Sequence, residues 1–419
     1  MTQQRGKAVD VAFDAAVLGF EDALNMSRNV TPVAVNAVAG ERNAQTTWRT
    51  MPYINQVNDG LDQTGNFKGA VQRVVPAQVN KFKSVDFLFT GTEMNDPDTL
   101  TQLTSSAKDA LASQIENDII DKVCNEGSLF VPVATALSGY DDVALCDSIM
   151  NEQEVPGGNR KLALNTRDYN LMAGNLAARQ LDNSITSAAY RQSSLGMVSS
   201  FDTYKMQTTT TLAAAAGTAV TMNGAGQYYT PASQDSSGNN QDTRYQTISI
   251  TVGGGTVAVG DAFTLAGVNS LGHKSKRDSG ELKTFRVHEI VTGAGGSGTI
   301  KISPPIISAE GGSPGEIQYK NVSATPANGE ALTFLNVAAK QANPFWTKGS
   351  IELLGGKLPM PTGTGAEFRS YTSPSSGITI AMSNQFDNGA RGTTVRFDVF
   401  YNVVIVQPEM VGVLIGDQV

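Results

Sequence analysis

The stretch Asn95–Ser128, NDPDTLTQLTSSAKDALASQIENDIIDKVCNEGS, decides the fold because it predicts the longest helix of the chain. Asp96 suits the N-cap position, Pro97 suits the first helical position, and Gly127 suits a helix stop. Apolar residues recur every three or four positions and form one stripe: Leu100, Leu103, Ala107, Leu111, Ile115, Ile119 and Val123. A rod of about 30 residues and roughly 45 Å with one narrow stripe is too polar for a core helix. The pattern predicts a strut with one face on a sheet and the other face open.

The composition of the 419 residues favours β-structure and loops, because charged residues make up 17% and glycines number 42. The net charge of −8 gives no whole-chain basic footprint for nucleic-acid binding. Cys124 and Cys146 cannot build a disulfide framework, and Cys124 on the long helix is expected to be a small buried hydrophobe. We find no apolar signal-peptide core at the start and no run of about 18 apolar residues, so we expect a cytosol-like compartment without membrane insertion.

The regions around the long helix have distinct patterns. Residues 8–26 predict a helical arm, and residues 45–92 predict a long hairpin with a turn cluster, NDGLDQTGN, between its limbs. This hairpin has too few large apolar residues for its own core, so we expect a neighbour to cover it. The remaining predicted elements are helices at 141–152 and 168–179 and strands at 161–165, 351–354, 378–382 and 395–406.

Residues 208–340 form a compositional break, rich in Thr, Gly, Ala and Ser. Six short strands are predicted there, at 219–222, 246–252, 262–268, 283–292, 298–303 and 331–337. Such strands imply a small barrel or sandwich, and the flanking α/β and β regions make it an inserted domain. Its polar loop, residues 227–246, is too long for a tight turn and is expected to be functional or disordered.

No constellation of reactive residues indicates an enzyme, a cofactor or a metal. The two histidines, His273 and His288, do not complete a zinc-ligand spacing with the two cysteines. Asp141-Asp142 are interpreted as helix-start acids and Gly253–Gly255 as a turn. Asp59 and Asp62 weakly resemble an incomplete calcium loop and are interpreted as turn residues. The tract HKSKR at 273–277 is interpreted as a solvated loop, with contact to an acidic partner as the alternative.

Several short runs, taken with this order of elements, resemble one protein family. They are Gly260–Val268, Leu271-Gly272, Asn343–Trp346, Pro408-Glu409, Gly412-Val413 and Ala189–Arg191. The order resembles the α+β Hong Kong 97 fold of tailed-phage major capsid proteins. The insertion narrows the resemblance to the coat proteins of short-tailed, Salmonella-phage-like tailed bacteriophages.

The resemblance implies a division of the chain into named domains. They are an N-terminal arm (1–44), an extended hairpin or E-loop (45–92), a spine helix with the peripheral domain (93–130), the first part of the axial domain (131–207), an inserted six-stranded β-barrel (208–342), the second part of the axial domain (343–393) and a peripheral-domain tail (394–419).

The resemblance also implies a function. Copies of the chain assemble as hexamers and pentamers, with a scaffolding protein and a portal protein, into an icosahedral procapsid in the host bacterial cytoplasm. The procapsid expands on maturation and the virion shell encloses double-stranded DNA without sequence-specific binding. Two alternatives stay open: an encapsulin-type shell protein and a β-rich tail or binding protein.

The same resemblance implies two sets of contact residues. Loop 227–246 would reach a neighbouring capsomer through Tyr228, Tyr229, Asp235, Asp242 and Arg244. The hairpin would make its contacts through Asp59, Asp62 and Lys68.

Overall fold

A computed structural model shows the chain as two compact units. The first comprises Met1–Thr47, Pro76–Ile119 and Ile351–Val404, and the second comprises Trp48–Val75, Ile120–Ser350 and Ile405–Val419. The structure describes residues 13–17, 20–24, 26–34, 46–55, 57, 60–62, 64, 67–90, 93, 96–178, 189, 192–193, 195–357, 365–389 and 391–418.

The helices of the described chain include α1 (Phe20–Ala23), α2 (Pro97–Glu126), α3 (Tyr140–Glu152), α4 (Thr166–Ala178) and α5 (Pro314–Tyr319), and residues 13–17 are helical as well. The strands of the N-terminal half are β1 (Thr31–Ala34), β2 (Thr47–Thr50), β3 (Val74–Ala77), β4 (Lys81–Thr90), β5 (Leu129–Pro132), β6 (Arg160–Leu164), β7 (Met197–Val198) and β8 (Phe201–Lys205). Those that follow are β9 (Thr211–Leu212), β10 (Thr218–Met222), β11 (Gln246–Gly254), β12 (Ala262–Leu271), β13 (Asp278–Ile290), β14 (Gly298–Ser303), β15 (Leu332–Phe334) and β16 (Lys340–Gln341). The C-terminal strands are β17 (Asn343–Thr347), β18 (Ile351–Gly355), β19 (Glu367–Thr372), β20 (Thr379–Asp387), β21 (Gly392–Ile405) and β22 (Val411–Ile415).

Helix α2 has the predicted bounds and the predicted caps. The Asp96 carboxylate accepts hydrogen bonds from the Asp98 backbone N–H and the Thr99 hydroxyl, at 3.1 and 2.6 Å. Gly127 donates to the Val123 carbonyl at 3.0 Å where the helix ends. Six of the seven predicted stripe residues are buried, all except Leu103, which is half-buried. The opposite face is exposed at Gln102, Ser106, Asp109, Ala110 and Ser113, whereas from Gln114 to Glu126 only Asp121 is exposed. The prediction of a one-sided strut is therefore confirmed for the first half of the helix.

The first unit is built on a six-stranded sheet in the order β1-β18-β21-β20-β19, with β4 paired to the first part of β21. Asp118 of α2 accepts a hydrogen bond from the Tyr401 hydroxyl of β21 at 2.6 Å. It also pairs with Lys81 of β4, whose Nζ lies 3.1 Å from Asp118 Oδ1. These contacts fasten the helix to the two strands, in line with the prediction that one of its faces lies on a sheet.

The hairpin is shorter than predicted. Strand β4 lies within the predicted 45–92 hairpin, yet it pairs with β21 along its whole length, from Lys81–Tyr401 to Thr90–Gly392. Among the described residues of the hairpin, the limbs that pair with each other are β2 and β3. A ten-residue strand with alternating side chains gains more from a long partner in a sheet than from a solvated hairpin, and sequence adjacency does not reveal that partner.

The second unit contains an α/β sheet in the order β5-β22-β17-β6-β8-β7. Helices α3 and α4, close to their predicted bounds, pack on it through a core that includes Cys146, Met172, Phe345 and Leu414. Strand β22 lies between β5 and β17 in this sheet, whereas β18 to β21 belong to the sheet of the first unit. The strand pairing therefore divides the C-terminal region differently from the predicted boundaries 343–393 and 394–419. Short apolar strands of either sheet have the same pattern, so sequence alone does not sort them.

The insertion is a nearly closed six-stranded barrel in the order β10-β11-β14-β13-β12-β15. The Met222 N–H donates to the Glu330 carbonyl at 2.8 Å, which brings the end of β10 back to the residues just before β15. All six predicted strands are confirmed, and their inward residues form one apolar core. Where the chain enters and leaves the barrel, β9 and β16 pair antiparallel, so the two connections are neighbours as an inserted domain requires.

Candidate assembly surfaces

Loop 227–246 has a base that is fixed within the subunit. Arg244 forms a bidentate ion pair with Asp242, from Nη2 to Oδ2 at 2.7 Å and from Nε to Oδ1 at 2.9 Å. Arg244 Nη1 donates to the Ile405 carbonyl at 2.7 Å, and the side chain of Arg244 is 8% exposed against 23% for Asp242. Tyr229 donates through its backbone to the Ile306 carbonyl at 2.7 Å. Tyr229, Asp242 and Arg244 thus contact their own subunit, and the Tyr228 backbone N–H donates within the loop to the Gly226 carbonyl at 3.0 Å.

The exposed part of this loop is its tip, residues 234–240. Gln234 and Asn240 form a β-bridge, and Gly238 has φ +81°, a conformation that glycine adopts without strain. The Asp235 carboxylate accepts backbone N–H bonds from Ser237 and Asn239, at 2.8 and 2.9 Å. The hydrogen bond from the Asn239 backbone holds the pKa of Asp235 below its usual range. The tip is therefore a preformed turn that presents Ser236, Ser237, Asn239 and Asn240 to solvent.

The second limb of the hairpin is fastened to the base of the same loop by Arg73, which the sequence analysis missed. Its Nη2 donates to the Thr243 carbonyl at 2.7 Å, and its guanidinium lies 5.3 Å from the centre of the Tyr319 ring. Beside it, the Tyr319 hydroxyl donates to the Val71 carbonyl at 2.8 Å. The sequence offered one signal for this role, the positively charged Arg73 within the apolar run VQRVV. A buried arginine needs hydrogen-bond acceptors from another part of the chain.

The outer part of the hairpin, residues 53–68, exposes large apolar side chains. Tyr53 is 52% exposed, Val57 86%, Leu61 105% and Phe67 90%. Among the predicted contact residues, Asp62 accepts the Thr64 backbone N–H at 2.9 Å, and hydrogen bonds from Thr64 lower its pKa. Lys68 is exposed, and Asp59 lies outside the described residues. We call residues 53–68 the hairpin tip.

A buried cluster joins the barrel to the α/β sheet around Glu409, in the predicted Pro408-Glu409 run. Lys283 of β13, with 0% exposure, donates to Glu409 Oε2 and to the Gln153 side chain, both at 3.0 Å. His273 Nε2 lies 3.4 Å from the same carboxylate oxygen, and Asn321 donates to the other oxygen at 3.3 Å. We call Gln153, His273, Lys283, Asn321 and Glu409 the Glu409 cluster.

Charge interactions set the ionisation of this cluster. Burial raises the pKa of the Glu409 carboxyl, but the charges of Lys283, His273 and Arg73 outweigh it and hold that pKa well below its usual range. Burial lowers the pKa of His273 to about 4, so the ring is neutral at pH 7. The interpretation of the tract 273–277 as a solvated loop holds for part of it, because Lys274 and Arg277 are exposed while His273 is buried.

The other residues considered for chemistry have structural positions. Asp142 accepts the Ser138 and Gly139 backbone N–H groups at the start of α3, at 2.7 and 3.1 Å, which confirms the helix-start interpretation. Gly255 has φ +67° in the turn after β11. Cys124 and Cys146 are free and fully buried. Within the described part of the chain no group of three or more His, Cys, Asp or Glu could hold a metal ion, and no helix is long and apolar enough to cross a membrane.

Three features of this α+β subunit are those of Hong Kong 97-type phage major capsid proteins. They are the long strut helix, the exposed hairpin tip and the nearly closed inserted barrel. The model of one family, P22 coat protein (gene protein 5), matches residues 1–416. The chain therefore belongs to the P22 coat protein family. It is a structural component of the virion, and its copies assemble into an icosahedral shell.

Several solved structures are similar to this chain. The CUS-3 coat protein I-domain is 37% identical, with 28% of this chain and 95% of that chain covered and a TM-score of 0.23. The Mycobacterium phage Che8 structure is 10% identical, with 91% and 86% covered and a TM-score of 0.39. The capsid of cyanophage P-SCSP1u is 9% identical, with 93% and 86% covered and a TM-score of 0.43.

Proposed function

We propose that this coat protein first assembles with a scaffolding protein into a procapsid that expands on maturation. In this proposal a portal protein occupies one vertex, and assembly takes place in the host bacterial cytoplasm. The observation that carries the proposal is the hairpin tip, whose apolar side chains are uncovered in the single subunit. Apolar surface of this kind is stable in water only when another molecule covers it, and identical subunits related by symmetry cover it repeatedly.

In this proposal the shell encloses double-stranded DNA and does not bind it tightly. The net charge of −8 supports this part of the proposal, because tight binding to DNA comes mainly from Lys and Arg at the phosphates. The open face of α2, with Asp109 and Gln102 exposed, would face the lumen. The division into arm, hairpin, spine, axial, barrel and tail domains stays a prediction.

The contact with the neighbouring capsomer is proposed at the loop tip, residues 234–240. Asp242 and Arg244 would support this contact indirectly, because their ion pair holds the base of the loop. Asp235 would keep the turn in shape through its backbone hydrogen bonds, while the exposed Asn239 and Asn240 offer amide groups to the partner.

The assembly proposal is tested by expressing the full chain with and without the scaffolding protein of its phage and imaging the products by electron microscopy. We expect closed, uniform shells with the scaffolding protein, and aberrant or open assemblies without it. Equal yields of uniform closed shells in both preparations would refute the scaffold requirement. A product that stays monomeric in both would refute shell assembly.

The loop-tip contact is tested with Asp235→Ala, which removes the acceptor that holds the turn. We expect a folded subunit whose shells dissociate at lower denaturant concentration than wild-type shells. Lys274→Ala, at an exposed position on another turn of the barrel, is the matched control and should leave shell stability unchanged. Shells of Asp235→Ala as stable as those of the control would remove the loop tip from the interface.

A further inference from the structure

A cavity of about 70 Å³ lies where four distant segments of the second unit meet. Its lining comes from the hairpin base, the loop base, the barrel and the segment before β22, and includes Arg73, Arg244, His273 and Glu409. The volume exceeds the roughly 10–15 Å³ that one ordered water needs. Pro52, which is exposed, and Ile54, which is half-buried, line the side towards solvent. The cavity therefore has polar groups, room and an entrance.

The charges of the lining do not cancel. Arg244 is paired with Asp242, and Glu409 is paired with Lys283. Arg73 is 5% exposed, and it donates to Thr243 and lies against the Tyr319 ring. Within the described part of the chain, no carboxylate forms an ion pair with Arg73. Arg73 is therefore a buried positive charge with no directly paired carboxylate, although Arg73 and Glu409 attract each other at longer range, and burial of such a charge is costly.

A second, independent observation concerns His273. Its residue is 8% exposed, and its Nε2 atom has no hydrogen-bond partner in the described structure. A buried imidazole nitrogen without a partner carries a desolvation cost that a ligand can remove. Arg73 and His273 line the same cavity, so one ligand can satisfy both groups.

We propose that this cavity binds a small free oxyanion, of the size and charge of inorganic phosphate. Guanidinium groups present several N–H donors to a tetrahedral oxyanion, and a neutral imidazole N–H adds one more. The bound anion joins the hairpin base to the barrel and to the segment before β22, and so stabilises the position from which the hairpin tip extends. Ligand that binds only the folded state raises stability by mass action.

The test measures binding of inorganic phosphate to the purified full-length protein by equilibrium dialysis, at ionic strength held constant with sodium chloride. We expect one saturable phosphate per chain and a rise in the thermal midpoint along the same concentration range. Arg73→Gln should weaken binding by roughly tenfold or more, because a hydrogen bond to a charged donor is lost. Arg277→Gln, at an exposed arginine of the barrel, is the matched control and should bind as wild type.

A second variant, which keeps all charges, tests the same cavity in case Arg73→Gln does not fold. Ile54→Trp narrows the entrance from a half-buried position, and we expect it to weaken phosphate binding while circular dichroism stays unchanged. Absence of saturable binding by the wild-type chain would overturn the proposal, and so would equal affinity in wild type, Arg73→Gln and Ile54→Trp. Shell assembly, imaged on the same samples, tests the assembly proposal separately.

Discussion

The Glu409 cluster and the hairpin tip are opposites in physical terms. In the cluster, charged groups are buried and satisfied within one chain, as the Lys283–Glu409 contact of 3.0 Å shows. In the hairpin tip, apolar groups such as Leu61 and Phe67 are fully or almost fully exposed. The ion pair of the cluster is complete in the subunit, whereas the apolar side chains of the hairpin tip are not covered within it. The comparison teaches that the chain pairs its buried charges internally and leaves apolar side chains exposed in the region that we propose as an assembly contact.

The largest expected effect is at the Glu409 cluster. Glu409→Ala leaves the fully buried Lys283 without its counter-ion, and we expect the free energy of unfolding to fall by about 3–5 kcal/mol. Chemical denaturation of the purified subunit measures the loss. The double variant Lys283→Met with Glu409→Leu should recover most of it, because an apolar pair of similar size avoids the unpaired charge. A single variant within about 0.5 kcal/mol of wild type would break the comparison, since the cluster would then behave like an ordinary surface site.

The next effect concerns the strut. Ala110→Pro places a proline on the exposed face of α2, where it removes a backbone hydrogen bond and costs about 3 kcal/mol or more. We expect loss of helical circular dichroism and no assembly-competent protein. Ala110→Gly, expected to cost about 1 kcal/mol, is the control at the same position. Normal shells from Ala110→Pro would mean that the strut is dispensable for both folding and assembly.

A third prediction concerns Glu116 of α2, a half-buried carboxyl group that accepts hydrogen bonds from the backbone. Glu116 of α2 accepts the Met26 and Ser27 N–H groups at 2.7 and 3.2 Å, with Arg28 nearby, and burial raises its pKa to about 7. The folded state binds this proton more tightly than the unfolded state, so stability is greatest below the unfolded pKa of 4.5 and is lost as the pH rises through about 7. We expect a loss of about 2–3 kcal/mol from this group between these limits.

Unfolding midpoints of wild type and Glu116→Gln, measured from pH 4.5 to 8, check this prediction. The variant keeps one oxygen that can accept one of the two N–H groups and cannot ionise, so its stability should vary less with pH than that of wild type. Parallel profiles for the two proteins would show that Glu116 does not titrate in this range.

The smallest effect on the subunit is expected at the hairpin tip. Leu61→Ser and Phe67→Ser change exposed side chains, so the free energy of unfolding should stay within about 0.5 kcal/mol of wild type. Shell yield, measured by electron microscopy and sedimentation, should nevertheless fall strongly, because the apolar contact between copies is lost. Lys68→Ala is the neighbouring control. Full shell yield from both serine variants would place the assembly contact elsewhere.

Local patterns in the sequence were sufficient for the elements that depend on neighbours along the chain. The bounds of α2 follow from the Asp96 cap, the apolar stripe and Gly127, all within one segment. The six barrel strands were predicted because Gly-rich turns separate short β-branched runs. The family resemblance rested on this order of elements and is confirmed by the match over residues 1–416.

Contacts between distant segments could not be predicted from these local patterns. Asp242 and Arg244 were predicted as contacts to another capsomer, and their pairing with each other and with the Ile405 carbonyl is a three-dimensional fact. Arg73 had no predicted role, although it fixes the hairpin limb to Thr243, 170 positions further along the chain. Long side chains such as arginine reach many alternative partners, so their spacing in sequence does not select one.

The sequence by itself determined the long helix, the inserted barrel and the class of protein. These depend on hydrophobic periodicity, turn residues and composition, which are local properties of the chain. Only the tertiary structure decided that β4 pairs with β21, that β22 enters the α/β sheet and that Lys283 meets Glu409. Strand pairing and buried ion pairs join residues far apart in sequence, and their energies exist only once the chain has folded.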